Sequence, residues 1–112
     1  LCKLGENVIN FDEYQANALK TVLTTAYNEE YLVSGLAGEV GEVASLYAKS
    51  VRDGHKEDYY DEMMAELSDI LWFVAVLGHL EGYNLSEIAE YNNKKLLSRM
   101  ERGVLSGSGD HR

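Results

Sequence analysis

The chain has 112 residues, of which 46% are apolar, with a formal net charge of −9 at pH 7 and a single cysteine, Cys2. That is the size of one domain with enough apolar residues for a core, while the negative charge argues against binding duplex DNA or RNA by phosphate neutralisation. One cysteine excludes a disulfide framework or a Cys-based zinc cluster within one copy and points to a reducing, cytoplasmic setting. The longest apolar run, Ile70 to Gly78, is too short to span a bilayer, and no basic segment precedes a hydrophobic one at the start. A soluble protein with no membrane or nucleic-acid partner is therefore expected.

Proline is absent and glycine supplies most of the punctuation, so the reading is helical nearly throughout. The first predicted helix runs from Phe11 to Ala26, with Asn10 or Asp12 as N-cap and Tyr14, Ala18, Leu19, Val22 and Ala26 at helical spacing. The second runs from Glu30 to Val51 and stops at Asp53-Gly54. The third runs from Tyr59 to Leu80 and stops at Gly82. The fourth begins after an Asn84 or Ser86 cap and closes at Gly103. Residues 1–103 then form one domain, and 104–112, with Ser-Gly-Ser-Gly, a flexible tail. Short connections favour antiparallel neighbours, hence an all-α, four-helix-bundle-like subunit. The third helix is apolar on every face from Ile70 to Gly78, more than a lone bundle needs, so a second copy of the chain is expected to cover it.

Four acids interrupt the apolar stripes. Glu39 and Glu42 stand three apart on the second helix, Glu66 and Asp69 three apart on the third, so each pair shares a helical face. Two like charges about 4 Å apart repel by roughly 4 kcal/mol at an effective dielectric of 20. Four such acids need a counter-charge: either Lys and Arg partners or bound cations. No acid lies three residues before His55, His79 or His111, so the Glu-x-x-His pairs of di-iron sites are missing. An all-oxygen set prefers Mg²⁺ or Mn²⁺, ions that keep waters and bind phosphate oxygens. On the fourth helix Asn92, Lys95 and Arg99 fall on one line and are expected to face the same interior, where they would meet a phosphate chain from the other side. Lys49 is a further cation for that task. Gly35, Gly38 and Gly41 recur every three residues beside Glu39 and suggest close approach of a backbone or ligand. They are not a phosphate loop, because the Gly-Lys-Ser/Thr ending is absent. Tyr14, Trp72 and Phe73 are placed to stack a base or to fill the core.

Taken in order, Gly38-Glu39-Val40-Gly41-Glu42, Glu66-Leu67-Ser68-Asp69 and Asn92-Asn93-Lys94-Lys95-Leu96 with Arg99 resemble the MazG-type all-alpha nucleoside triphosphate pyrophosphohydrolases. The resemblance runs from about Phe11 to Gly103. It implies a helical homodimer or dimer of dimers, Mg²⁺ held by Glu39, Glu42, Glu66 and Asp69, and hydrolysis of a nucleotide to its monophosphate and pyrophosphate, a reaction suited to nucleotide-pool house-cleaning. Glu42, or Glu39, would act as base toward the attacking water, with Asn92, Lys95, Arg99 and Lys49 on the phosphates. Gly38 stands where the family motif has its first Glu, which leaves one or two cations per site open. Phosphoribosyl-ATP hydrolysis, or a noncatalytic acidic dimer that binds a basic partner, are the alternatives.

Overall fold

The structure, a computed structural model, describes residues 8–112, so Cys2 lies outside the described residues. Four α-helices follow one another: α1 (Phe11–Leu19), α2 (Glu29–Asp53), α3 (Tyr59–Leu80) and α4 (Leu85–Glu101). A single 3₁₀ turn, Thr24–Ala26, joins α1 to α2, and no strand occurs among the described residues.

The helix starts follow from side chains that satisfy free backbone N–H groups. Asn10 caps α1 by accepting from Glu13 N at 2.8 Å, and Asn28 caps α2 by accepting from Tyr31 N at 2.9 Å. Asp12 is not the cap of α1; its carboxylate reaches across to α4, accepting from Ser86 N at 3.1 Å and from Ser86 Oγ at 2.8 Å. Asn84 is the cap residue of α4, and Glu87 accepts from its backbone N–H at 3.0 Å. Gly54, Gly82 and Gly103 take positive φ values of 86°, 92° and 71° after the last turns of α2, α3 and α4, as the sequence requires.

The first helix is shorter than its periodicity suggests, ending at Leu19 rather than Ala26. Thr21 is the reason: its Oγ donates to Ala18 O at 2.7 Å and accepts from Trp72 Nε1 at 2.8 Å, competing with the helical ladder. The β-branched Val22, Thr24 and Thr25 beyond it offer little helix propensity in return.

α3 is the central helix, packed along α2 and against α1 and α4. Leu32, Ala75 and Val76 are fully buried, with Ala18, Phe73 and Leu85 around them. One polar residue ties the core together. Gln15 donates to Ala75 O at 2.9 Å and Tyr83 O at 3.1 Å and accepts from Leu85 N at 3.0 Å, joining α1, α3 and the start of α4.

Two expectations change here. The girdle Ile70–Gly78 is covered mostly from within one chain, since Phe73, Ala75, Val76 and Gly78 are buried where three helices surround α3. Exposed apolar side chains stand on Val33, Val40, Tyr47 and Val51 of α2, on Tyr60, Met64, Leu67 and, within the girdle, Leu71 of α3, and on Tyr91, Leu96, Leu97 and Met100 of α4. The second concerns length: α3 as a whole, 22 residues with a best-window hydropathy of 1.4, is long and apolar enough to cross a membrane by composition alone. Its half-buried Glu66, its Asp69 and its core packing mark it as the central helix of this bundle.

The Gly/Ser-rich tail, expected to lack fixed contacts, has a defined path back along α4. Arg112 holds it, donating to Val104 O at 3.1 Å, Leu105 O at 3.0 Å and Gly109 O at 2.6 Å, while Gly107 and Gly109 take φ values of 118° and 88°.

Candidate active site

The antiparallel pairing of α2 and α3 brings the middle of each helix together. Glu39 from α2 and Glu66 and Asp69 from α3 each offer a carboxylate oxygen within 4.8 Å of the others. Glu39 and Glu66 are half-buried and Asp69 is exposed, so the cluster sits on an open shoulder of the subunit rather than inside it. That corrects the inward placement expected from the stripes: the single chain supplies no further layer over this side of the α2–α3 pair.

Crowding shifts the protonation of Glu39. Partial desolvation, a hydrogen bond with Glu66 and the charges of Asp69, Glu66 and Glu42 together hold the Glu39 carboxyl above its ordinary value. The Tyr14 hydroxyl of α1 is pushed up by burial and then by the charge of Asp69. No Lys or Arg pairs with these acids among the described residues; the ion pairs present are Arg52–Asp53, Lys94–Glu90, Lys95–Asp110 and Arg99–Asp110. The reading of the acids as structural ion pairs thus fails for the described chain.

Glu42 lies one helical turn beyond Glu39, exposed and outside the three-acid cluster, though close enough for its charge to act on Glu39. Lys49 is ten residues past Glu39, about 15 Å along the helix, and lines a separate cleft of about 380 Å³ with Arg52, Lys56 and Asp58. The α4 residues do not meet the acids. Lys95 and Arg99 turn to Asp110 of the tail, and Asn92 is exposed. The sequence misses this because the tail's return path depends on contacts between residues 11 and 15 apart.

Of the three glycines beside Glu39, only Gly35 is required by contact: a Cβ there would overlap the Phe73 ring, whereas Gly38 and Gly41 face open space. Phe73 is buried core, edge-on to Trp72 with ring centroids 4.9 Å apart, so its ring is committed to packing. His79 accepts or donates a hydrogen bond with the Tyr27 hydroxyl at 2.7 Å and His55 stacks on Tyr59, so neither belongs to the acid cluster. Tyr14 is the residue that sequence reasoning did not assign to the acids; only its helical spacing with Ala18 placed it on the packed face.

Residues 27–104 match the MazG nucleotide pyrophosphohydrolase domain. The chain is also 41% identical, over 85 residues, to the Gene 37 protein of Mycobacterium phage L5, an alignment that covers 73% of this chain and 75% of that protein. No solved structure matches it.

Proposed function

Because this chain belongs to the MazG nucleotide pyrophosphohydrolase domain family, we propose that it hydrolyses a nucleoside triphosphate to the monophosphate and pyrophosphate with Mg²⁺ or Mn²⁺ at Glu39, Glu66 and Asp69. The observation that carries the reading is the cluster itself: three carboxylates converge with no Lys or Arg among the described residues to neutralise them, and one is held toward its protonated form. An all-oxygen, uncompensated set fits a hard divalent ion. Such an ion, when bound, supplies charge neutralisation on the phosphates and a lowered pKa for a coordinated water.

The chain's own residues divide the remaining work. Glu42, exposed beside the cluster, completes the four-acid set and takes the proton of the attacking water as the phosphoanhydride bond breaks and pyrophosphate leaves. Lys95, Arg99 and Asn92 hold phosphate oxygens, with Lys49 as a further cation. In one subunit α4 packs mainly on α1 and α3 and its cations stay away from the acids. A second copy is part of the proposal for that reason and for another. The apolar row of Val33, Val40, Tyr47 and Val51 on α2 and Tyr60, Met64, Leu67 and Leu71 on α3 stays exposed in the single chain.

A panel of ribo- and deoxynucleoside triphosphates, assayed with Mg²⁺ for pyrophosphate release, tests the reading. Release by the wild type, lost in Glu66→Gln, supports it. Absence of release with every nucleotide, by a protein that still binds a basic peptide, would favour the noncatalytic alternative.

A further inference from the structure

Arg99 is the one buried charge of α4, 5% exposed, and a buried guanidinium is costly unless it is paired. Its partner comes from the tail. Arg99 Nη2 donates to Asp110 O at 2.6 Å and to Asp110 Oδ1 at 3.1 Å, and Lys95 Nζ donates to the same Oδ1 at 2.8 Å. One carboxylate oxygen thus sits between two cations one helical turn apart, the position that a phosphoryl oxygen would take.

The tail that delivers it is lightly held. Val104 and Arg112 are half-buried and every residue from Leu105 to His111 is exposed, so attachment rests on polar contacts rather than on apolar packing. Asp110 keeps 59% of its side chain exposed while it is bound. The pair is open to water on the Asp110 side only, which screens it there, and a polyphosphate presents more oxygens and more charge to the same two cations than one carboxylate does.

We propose that Asp110 is an intramolecular occupant of an anion pocket formed by Lys95 and Arg99, a tail latch that the phosphates of a nucleotide or pyrophosphate must displace. The proposal rests on the reading above that Lys95 and Arg99 serve phosphate. It adds that substrate and tail compete for them, so that the tail sets the apparent affinity and is released on binding.

Inorganic pyrophosphate is the probe. Calorimetric titration of the full chain and of Asp110→Asn should show binding tightened roughly three- to tenfold in the variant, the scale of a half-exposed ion pair that must otherwise be broken first. The nucleotide KM should fall in parallel, with kcat little changed. In the wild type, amide NMR should report Gly107 and Gly109 becoming more mobile as pyrophosphate is added, a readout that needs no variant. Unchanged or weaker binding by Asp110→Asn, or tail amides that stay fixed while pyrophosphate binds, would overturn the latch. Lys95→Ala separates the two levels: if it weakens pyrophosphate binding while Asp110→Asn does not strengthen it, the latch alone is wrong. If Lys95→Ala leaves affinity and KM unchanged, the phosphate role of these cations fails and the latch with it.

Discussion

Glu39 ties the chemistry of the acid cluster to the stability of the subunit. Its carboxyl is held above the ordinary value, so the folded chain binds that proton more tightly than the unfolded chain does. The contribution is complete below the ordinary glutamate range and is lost as pH rises through the raised folded value. In chelator, Glu39→Gln should therefore melt above wild type near neutral pH, with the gap closing on acidification; excess Mg²⁺ should reverse the order by binding only the folded wild type. Melting curves for both proteins across pH, with and without metal, check the sign, and a gap that widens on acidification would contradict it. Removing charge and removing phosphate contacts should separate in the same way. Glu66→Gln should abolish pyrophosphate release while the helical fold survives, whereas Lys95→Ala should retain metal binding and lose nucleotide affinity. Metal titration of Lys95→Ala alone can refute that division, if the metal no longer binds. Away from the site, Gln15 satisfies two carbonyls and the Leu85 N–H. Gln15→Met keeps the volume but orphans them, at a cost of about 2–4 kcal/mol in urea denaturation.

Helices were legible in the sequence where their signals are local. Asn10, Gly54, Gly82 and Gly103 act on the turn next to them, and each stop expected from these glycines is found. The end of α1 was not legible, because Thr21 is held by Trp72, 51 residues away. The glycine repeat was half legible: spacing revealed the stripe but not that Phe73 approaches only Gly35. Substitution should resolve the repeat into two kinds of position. Gly35→Ala forces the Phe73 ring to move and should cost about 1–3 kcal/mol, while Gly38→Ala meets open space and should add up to about 1 kcal/mol of helix stability. Equal losses at the two positions would mean that something approaches Gly38 as closely as Phe73 approaches Gly35. Of the candidate site, i, i+3 spacing accounts for Glu66 standing beside Asp69, but the same spacing pairs Glu39 with Glu42, which lies outside the three-acid cluster; which of the α2 acids meets α3 depends on how the two helices pack. The relation of Lys95 and Arg99 to those acids was not legible either, since it depends on where α4 packs and on what the tail does.

At the scale of the molecule, the apolar row on α2 and α3 makes a monomer an uncomfortable species in water. Light scattering should report at least a dimer, and Met64→Lys, at a position 70% exposed in the single chain, should shift the particle toward the 12.5 kDa of one copy. A wild type that scatters as a monomer at micromolar concentration would count against the second copy. The bonds that seat α4 carry a different consequence, one of timing. Gln15 and Asp12 reach residues 70 and 74 positions later in the chain. At ~5–20 residues per second, a ribosome takes about 4–15 s to make that interval. Throughout it, α1 is a nine-residue segment, too short to persist as a helix without packing. Its contacts with α3 form once α3 is free of the ribosome, but the bonds between Gln15 and Leu85 and between Asp12 and Ser86 close only when α4 arrives; a released chain truncated before Leu85 should therefore show faster amide exchange at Gln15 and Ala18 than the full chain does.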